Sequence, residues 1–531
     1  MVPLRPAAVG AALLLAACGA QSPSPTADGS DSPGPAASTP AASDSAEPSP
    51  SDAGPSAFAG AWVDATAAAI GETADYTNMV ELADLNADGS VDLLFANGGN
   101  YDQAGEPVLS TAWLNDGGGT FTNTTADVLS ETPRLTRSIK VGDLNADGLP
   151  DILIGTTYNT QSQLRLGTAI GAWTDATANL PAAELSVGDL ELGDVDADGD
   201  LDVVLADWGD DGPLGAGGVV QLWLNDGAAT FADATAEAMP DTLVGFSWDL
   251  ELVDVDNDWD LDIATSCKLC SSSLLYVNDG GGNFTDVSEA QMPPFENNYE
   301  FAPIDLDGDG FLDLLTINDG SPSPNGLREH AFRNDGSGTF VDATDDWWPD
   351  TSNTGWDDNS VIGLDVESDG DADFLVSSLD GPDRLLVNDG SGLLSLAADA
   401  FDADPSRGTL GMALADLNGD GLIDVVESQG EVPGALEERV YLGTVVLEPD
   451  TAPPIVRAES LGDSVVARVH DNRTPNQPHQ WQSIVARVDG GDVPMTWYGE
   501  NLFRARLPDG SSSVEVCATD AAGNEACSSP A

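Results

Sequence analysis

The chain has 531 residues, with 91 Asp and Glu against 17 Lys and Arg, for a formal net charge of −74. So few cations argue against a nucleic-acid binder, which needs Lys and Arg for phosphate contacts, and against electrostatic docking on anionic lipid. At 41% hydrophobic residues the chain is too apolar for a wholly disordered acidic polymer, and its length allows one large repeat domain plus a small one, or two to four ordinary domains.

Residues 1–17 carry one basic residue, Arg5, and then an apolar run from Ala7 to Ala17. The run is too short to span a bilayer and suits the h-region of a secretion signal. It ends in Leu15-Ala16-Ala17-Cys18, which resembles the lipobox of bacterial lipoproteins. The resemblance implies removal of residues 1–17 as a signal peptide and lipid on Cys18, anchoring the protein at the bacterial outer membrane or cell surface. Gly19, not Asp, follows, which by the same resemblance to lipoproteins does not favour inner-membrane retention. An ordinary signal peptide with an incidental cysteine is the alternative. Residues 18–57, rich in Pro, Ser and Ala, cannot bury enough apolar area to offset ordering entropy and read as a disordered tether.

Residues 58–450 are organised by one repeat. Asp84-Leu-Asn-Ala-Asp-Gly-Ser-Val-Asp92 recurs as 143–151, 194–202, 254–262, 305–313, 365–373 and 416–424, at spacings alternating between 51 and 59 or 60 residues. An alternating apolar stretch leads in, as in Met79-Val-Glu-Leu-Ala83, and an apolar run such as Leu93-Leu-Phe95 follows; both read as strands. A third strand ends in Asn-Asp-Gly, as in Trp113-Leu-Asn-Asp-Gly117, a tight-turn signal, and a fourth follows, as in Thr230-Phe-Ala-Asp-Ala234. The second copy is the most divergent, with Leu166-Gly-Thr168 in place of the turn. Four strands per copy, seven times over, predict an all-β fold: a seven-bladed β-propeller with four-stranded blades. The seventh copy lacks a fourth strand after Val440-Tyr-Leu-Gly443, and the missing piece stands at the front as Trp62-Val-Asp-Ala-Thr66. The last blade is therefore expected to take its outer strand from the start of the domain, closing the ring without an edge.

D-x-[DN]-x-D-G-x-x-D paired with L-x-N-D-G-x-G-x-F-x-D-A-T resembles the FG-GAP/VCBS repeat family, whose repeats are similar to the blades of the integrin α-subunit propeller. The resemblance spans roughly residues 58–450 and speaks to fold more than to partner.

The nonapeptide places oxygen donors at positions 1, 3, 5 and 9 around a backbone carbonyl at 7, with Gly at 6 permitting the tight turn. Hard oxygen ligands favour Ca²⁺, up to seven ions, over zinc or copper. The candidate ligands are Asp84, Asn86, Asp88 and Asp92; Asp143, Asn145, Asp147 and Asp151; Asp194, Asp196, Asp198 and Asp202; Asp254, Asp256, Asp258 and Asp262; Asp305, Asp307, Asp309 and Asp313; Asp365, Glu367, Asp369 and Asp373; Asp416, Asn418, Asp420 and Asp424. The third and fifth loops match fully; the fourth has Trp259 where Gly is expected and is the least secure. Metal-free turns held by Asx hydrogen bonds are the alternative. Seven ions would cancel only a minor share of the net charge, so the rest reflects a solvated or salt-adapted surface.

In an up-and-down blade the ion loop and the Asn-Asp-Gly turn share one face, and the longer connections share the other. Those connections carry Tyr101, Tyr158, Trp208, Trp347, Trp348 and Trp356, the candidate ligand-binding aromatics. Residues 451–531 read as an immunoglobulin-like β-sandwich, with a linker at Thr451-Ala-Pro-Pro454 and strands expected at 464–470, 483–488, 503–507 and 513–518. Cys267 with Cys270, and Cys517 with Cys527, are candidate disulfides in an exported chain. Cys267-Lys-Leu-Cys270 also fits a redox pair or half a metal site, although no second CxxC or nearby His completes a zinc set. None of His330, His470 and His479 lies beside a nucleophile motif, and no G-x-S-x-G, H-E-x-x-H or phosphate loop is present. The expected role is a monomeric, non-enzymatic calcium-binding module for an extracellular protein or glycan, with no nucleic acid and with membrane contact only through the lipid. The alternatives are a polysaccharide lyase or glycosidase on the propeller scaffold, and a structural envelope component.

Overall fold

The computed structural model describes residues 57–530 except 72, 74, 100–102, 210–214, 296, 319–327, 380, 402–407, 431–435, 448 and 472–480. The expected signal peptide, Cys18, nearly all of the expected tether, and Tyr101 lie outside the described residues. No described helix is long and apolar enough to cross a membrane.

Among the described residues between Trp62 and Gly443 the chain forms seven four-stranded antiparallel sheets. The first has strands Thr77–Ala83, Asp92–Asn97, Thr111–Asn115 and Phe121–Asn123, in that order. Second strands such as Asp92–Asn97 and Asp202–Asp207 are buried along their whole length, which is why they read as unbroken apolar runs. Five outer strands bury one residue of three, as the Phe of Phe121–Asn123 or Phe231–Asp233, whereas Ala172–Asp175 and Ser395–Ala397 bury none. The innermost strands, Thr77–Ala83, Thr136–Gly142, Val187–Gly193, Leu250–Val253, Asn298–Ile304, Asp358–Leu364 and Thr409–Ala415, each pack on the next, and the last packs on the first. The molecule is a β-propeller built as a closed ring. Its apolar cores lie between neighbouring sheets: Leu94 and Ala96 of the first meet Ile139, Val141, Ile152 and Ile154 of the second.

The ring closes as the sequence implies. Strand Trp62–Asp64 pairs antiparallel with Arg439–Gly443, Trp62 opposite Gly443 and Asp64 opposite Tyr441. Trp62 is fully buried, its indole N–H donating to the Ile423 carbonyl at 2.9 Å.

Five outer strands run into one-turn helices (Thr66–Ala69, Thr125–Val128, Thr235–Ala238, Ser288–Gln291 and Thr344–Trp347), which the sequence patterns do not predict. An Asp-x-Thr signature, varied to Asn-x-Thr at 123–125 and Asp-x-Ser at 286–288, explains them. The Asp233 carboxylate accepts the Thr235 N–H at 3.0 Å, and the Thr235 hydroxyl accepts the Leu222 N–H of the third strand at 3.0 Å. Asp342 and Thr344 repeat this arrangement against Ala331.

Residues 455–528 form two four-stranded sheets, ordered Ile455–Leu461, Ser464–His470, Leu502–Arg506, Thr496–Gly499 and Gly491–Pro494, Ser483–Val488, Val514–Thr519, Glu525–Ser528. Val465, Ala467 and Phe503 of one sheet share a core with Ile484, Ala486 and Val516 of the other, making a sandwich. Four of these strands match the expected ones to within a residue or so; the other four were not read from sequence. Cys517 and Cys527 are bonded across neighbouring strands, and Cys267 is bonded to Cys270.

Three of the proposed ligand-binding aromatics belong to the interior. Trp208 and Trp348 are fully buried and Trp347 nearly so, all within one core cluster. The long connections fold back over the sheets, and burying large aromatic rings there outweighs presenting them to solvent. Tyr158 is half-buried, and Trp356, 40% exposed, is the one candidate among the described residues that faces water.

Candidate metal centres

Each acidic nonapeptide joins the first to the second strand of its sheet, so all seven loops open on one face. Position 6 has positive φ in every loop, from +75° at Trp259 to +110° at Gly199, which is why Gly is the usual choice there. Position 4 is left-handed as well, at Ala87, Ala146, Ala197, Asn257, Gly308, Ser368 and Gly419. These two reversals curl the chain so that its acidic side chains point inward.

The loop carboxylates divide the work. At position 9, Asp92, Asp151, Asp202, Asp262, Asp313, Asp373 and Asp424 are all buried. One oxygen of each accepts the position-2 N–H of its own loop at 2.7–3.1 Å. The other accepts a third-strand N–H at 2.7–2.9 Å, that of Asn115, Gly167, Asn225, Asn278, Asn334, Asn388 or Gly443. Position 9 therefore braces loop to sheet. Burial pushes these carboxyls up, to about 7 at Asp92, Asp151, Asp202 and Asp424, about 8 at Asp262 and Asp313, and about 9 at Asp373. At position 5 Asp88, Asp147, Asp198, Asp258, Asp309, Asp369 and Asp420 each accept the N–H two residues on, at 2.9–3.2 Å. At position 1, Asp84, Asp143, Asp194, Asp365 and Asp416 accept the position-6 N–H at 2.8–3.0 Å. In the first, second and seventh loops Asn86, Asn145 and Asn418 join position 1 in accepting the position-5 N–H.

In three loops carboxylate oxygens converge, and some of them lack a donor. Asp194, Asp196 and Asp202, Asp254, Asp256 and Asp262, and Asp305, Asp307 and Asp313 each bring carboxylate oxygens within 4.8 Å of one another. One oxygen each of Asp194, Asp256, Asp305 and Glu367 is buried and accepts no hydrogen bond. Buried carboxylate oxygens left in that state cost free energy unless a cation meets them. The donor set holds no nitrogen or sulfur, and it fits a hard divalent cation.

The sandwich sits on this face, over the third to fifth loops. Arg504 pairs with Asp194, Arg468 with Asp254 at 2.8 Å, and Arg457 with Asp305 at 3.5 Å. Trp259 turns outward to the sandwich: its indole N–H donates to Glu459 at 2.8 Å and its carbonyl accepts the Tyr498 hydroxyl at 3.2 Å. The residue that made the fourth loop look irregular is an interface residue. Tyr498 and Leu502 pack in one cluster with Val195, Leu252 and Leu261 of the propeller. Along the ring axis a cavity of about 380 Å³ is lined by Glu81, Lys140, Glu191 and Glu300 and bounded by the sandwich residues His470 and Glu500.

Sequence reasoning also missed the part played by the Asn of Asn-Asp-Gly. The Asn278 amide donates to the Val195 carbonyl, position 2 of the ion loop one blade back, at 2.8 Å, and to Leu261 at 3.1 Å. Asn115, Asn225, Asn334 and Asn388 reach Leu417, Leu144, Val255 and Leu306 in the same way. No sequence signal pointed to Asp450, Asp471 and Asp520, whose carboxylates meet within 4.8 Å where the sandwich begins.

A profile of the FG-GAP-like repeat family matches residues 84–154, 143–205, 194–265, 270–316 and 365–427. No curated protein matches the chain. Among solved structures, BBS1N in complex with ARL6DN is 13% identical at TM-score 0.41, covering 73% of this chain and 98% of its own. Rhamnogalacturonan lyase YesW is 16% identical at TM-score 0.39, covering 71% and 75%. The V. cholerae biofilm matrix protein Bap1 is 13% identical at TM-score 0.33, covering 88% and 75%.

Proposed function

The chain belongs to the FG-GAP-like repeat family, and on that premise we propose that it is a calcium-loaded propeller serving as a binding module outside the cell. In this reading Cys18 carries the lipid that holds it at the surface, residues 18–57 give it reach, and residues 451–531 are an immunoglobulin-like module. The observation that carries the calcium assignment is the set of buried carboxylate oxygens without donors, at Asp194, Asp256 and Asp305, inside loops built from oxygen alone. The loops take Ca²⁺ through positions 1, 3 and 5, with position 9 completing the shell. Sites of this kind in extracellular modules bind at about 10⁻⁴ to 10⁻³ M. At free ion about 100 times Kd, each independent site adds roughly 2.7 kcal/mol of stability.

The sandwich occupies part of the ion-loop face, so the opposite face is assigned to the partner, a protein or a glycan, with Trp356 as the exposed aromatic there. Counting bound calcium by plasma emission after dialysis, with melting followed in calcium and in EDTA, tests the metal assignment. Bound ions and a melting temperature several degrees lower in EDTA are expected; an unchanged melting temperature would refute it. A glycan array probed with and without Ca²⁺ tests the binding role. Turnover of an arrayed glycan would move the reading to a carbohydrate-active enzyme.

A further inference from the structure

Three arginines of the sandwich reach the position-1 aspartates of three consecutive ion loops, and each reaches the same oxygen. Arg504 pairs with Oδ2 of Asp194, Arg468 with Oδ2 of Asp254 and Arg457 with Oδ2 of Asp305. The guanidiniums of Arg468 and Arg457 are further held by loop backbone, on the carbonyls of Asp254 and Gly310. The opposite oxygen, Oδ1, of Asp194 and of Asp305 is buried and accepts no hydrogen bond. Asp194 itself is only 4% exposed, and it converges with Asp196 and Asp202. Asp194 and Asp305 thus keep Oδ1 for the loop while Oδ2 meets the neighbouring domain, at Asp194 together with the Gly199 N–H; Oδ1 of Asp254 accepts the Asp258 N–H at 3.2 Å.

We propose that Asp194, Asp254 and Asp305 are shared carboxylates, one oxygen serving a divalent ion inside the loop and the other an arginine of the sandwich, so that ions in these three loops hold the sandwich on the propeller. This rests on the calcium assignment above. Without an ion, Asp194 is repelled by Asp196 and Asp202, and the Gly199 N–H is left to hold the rotamer that Arg504 grips. An ion pins the carboxylate and leaves the loop negative enough to keep the guanidinium, because four carboxylates exceed one divalent charge. Two charges of like sign on opposite oxygens of a carboxylate are both attracted to it, and the geometry keeps them apart. Trp259 fits the same scheme: a bulky residue at φ +75° is strained, and its two hydrogen bonds to the sandwich repay that strain. By linkage, docking of the sandwich tightens these three ions as much as the ions tighten docking.

The test is hydrogen–deuterium exchange of the purified chain, read at 496–506, with bound ions counted in parallel. In millimolar Ca²⁺ this segment exchanges slowly; in EGTA its exchange rises at least tenfold, while the sandwich strand 483–488 stays protected. Asp196→Ala with Asp307→Ala, which removes ion ligands that touch no sandwich arginine, gives the same rise with Ca²⁺ present. Asn86→Ala, in a loop remote from the sandwich, gives none. Arg457→Gln, Arg468→Gln and Arg504→Gln together give the rise and weaken calcium binding at three sites only. Unchanged exchange at 496–506 when the ions are counted as lost would overturn the proposal. So would slower exchange on ion removal, which would mean that arginine and ion compete. A wild-type chain that binds no ion at all would remove the calcium assignment and this proposal together, whereas bound ions with indifferent docking would remove this proposal alone.

Discussion

Replacing Asn278 with Ala measures what holds one blade to the next. Its side chain makes four hydrogen bonds: from Nδ2 to the carbonyls of Val195 at 2.8 Å and Leu261 at 3.1 Å, and to Oδ1 from the N–H groups of Gly280 and Gly282, both at 3.1 Å. Asn278 is 4% exposed, so water does not replace the lost partners. At about 1 kcal/mol net per bond, the loss is about 4 kcal/mol, and stranding the Val195 carbonyl between two blades keeps it from being less. The backbone N–H of Asn278 still donates to Asp262, so the ion loop keeps its brace. Urea unfolding of Asn278→Ala beside the parent, followed by tryptophan fluorescence, reads this as a lower midpoint at an unchanged slope. Asn283→Ala, an exposed residue in the same turn whose amide bonds only Asp279 and Gly281, sets the baseline at within about 0.5 kcal/mol. A loss below about 1 kcal/mol at Asn278 would refute the view that this side chain bolts blades together.

Trp208→Ala and Trp348→Ala are each expected to cost about 3–5 kcal/mol in the same assay, whereas Trp356→Ala costs under about 1 kcal/mol and weakens partner capture. Trp62→Ala is expected to cost about 3–5 kcal/mol as well, and to raise hydrogen exchange in Arg439–Gly443, the strand it closes. Burial raises Glu81, Glu191 and Glu500 to about 7 and Glu300 to about 8 around the axial cavity. These groups hold protons more tightly folded than unfolded, so stability in EDTA falls as pH climbs from about 4.5 to 8. Melting curves in EDTA at pH 5 and pH 8 should show the lower temperature at pH 8, and Glu300→Gln should flatten the difference.

Much of the ring was legible because its signals are local. The 1-3-5-9 acid spacing, the Asn-Asp-Gly turns and the displaced Trp62-Val-Asp-Ala-Thr66 segment each declare themselves within a few residues. What was hidden depends on neighbours distant in sequence. Asn278 looks like a turn residue until Val195 lies beside it, and Trp259 looks like a loop defect until Glu459 and Tyr498 arrive. Trp208, Trp347 and Trp348 sit in long connections, where sequence distinguishes poorly between a ring offered to a ligand and one folded back into the core. The left-handed position 4 was missed because Ala fills it three times, and Ala gives no warning of a positive φ. The three sandwich arginines were passed over because isolated cations in a strand carry no pattern; only their meeting with consecutive loops makes one.

The outer strand of the last sheet, Trp62–Asp64, finds its partner at Arg439–Gly443. A ribosome builds those segments in the order 62 to 443, so the first-made strand must wait, with Trp62 unburied, through almost the whole synthesis of the ring. Until then the nascent polypeptide carries an unclaimed backbone edge at each end. Such edges invite pairing with a second copy, so folding yield should depend on how well the young chain is shielded, and the closing step should be the last and most concentration-sensitive event in its maturation.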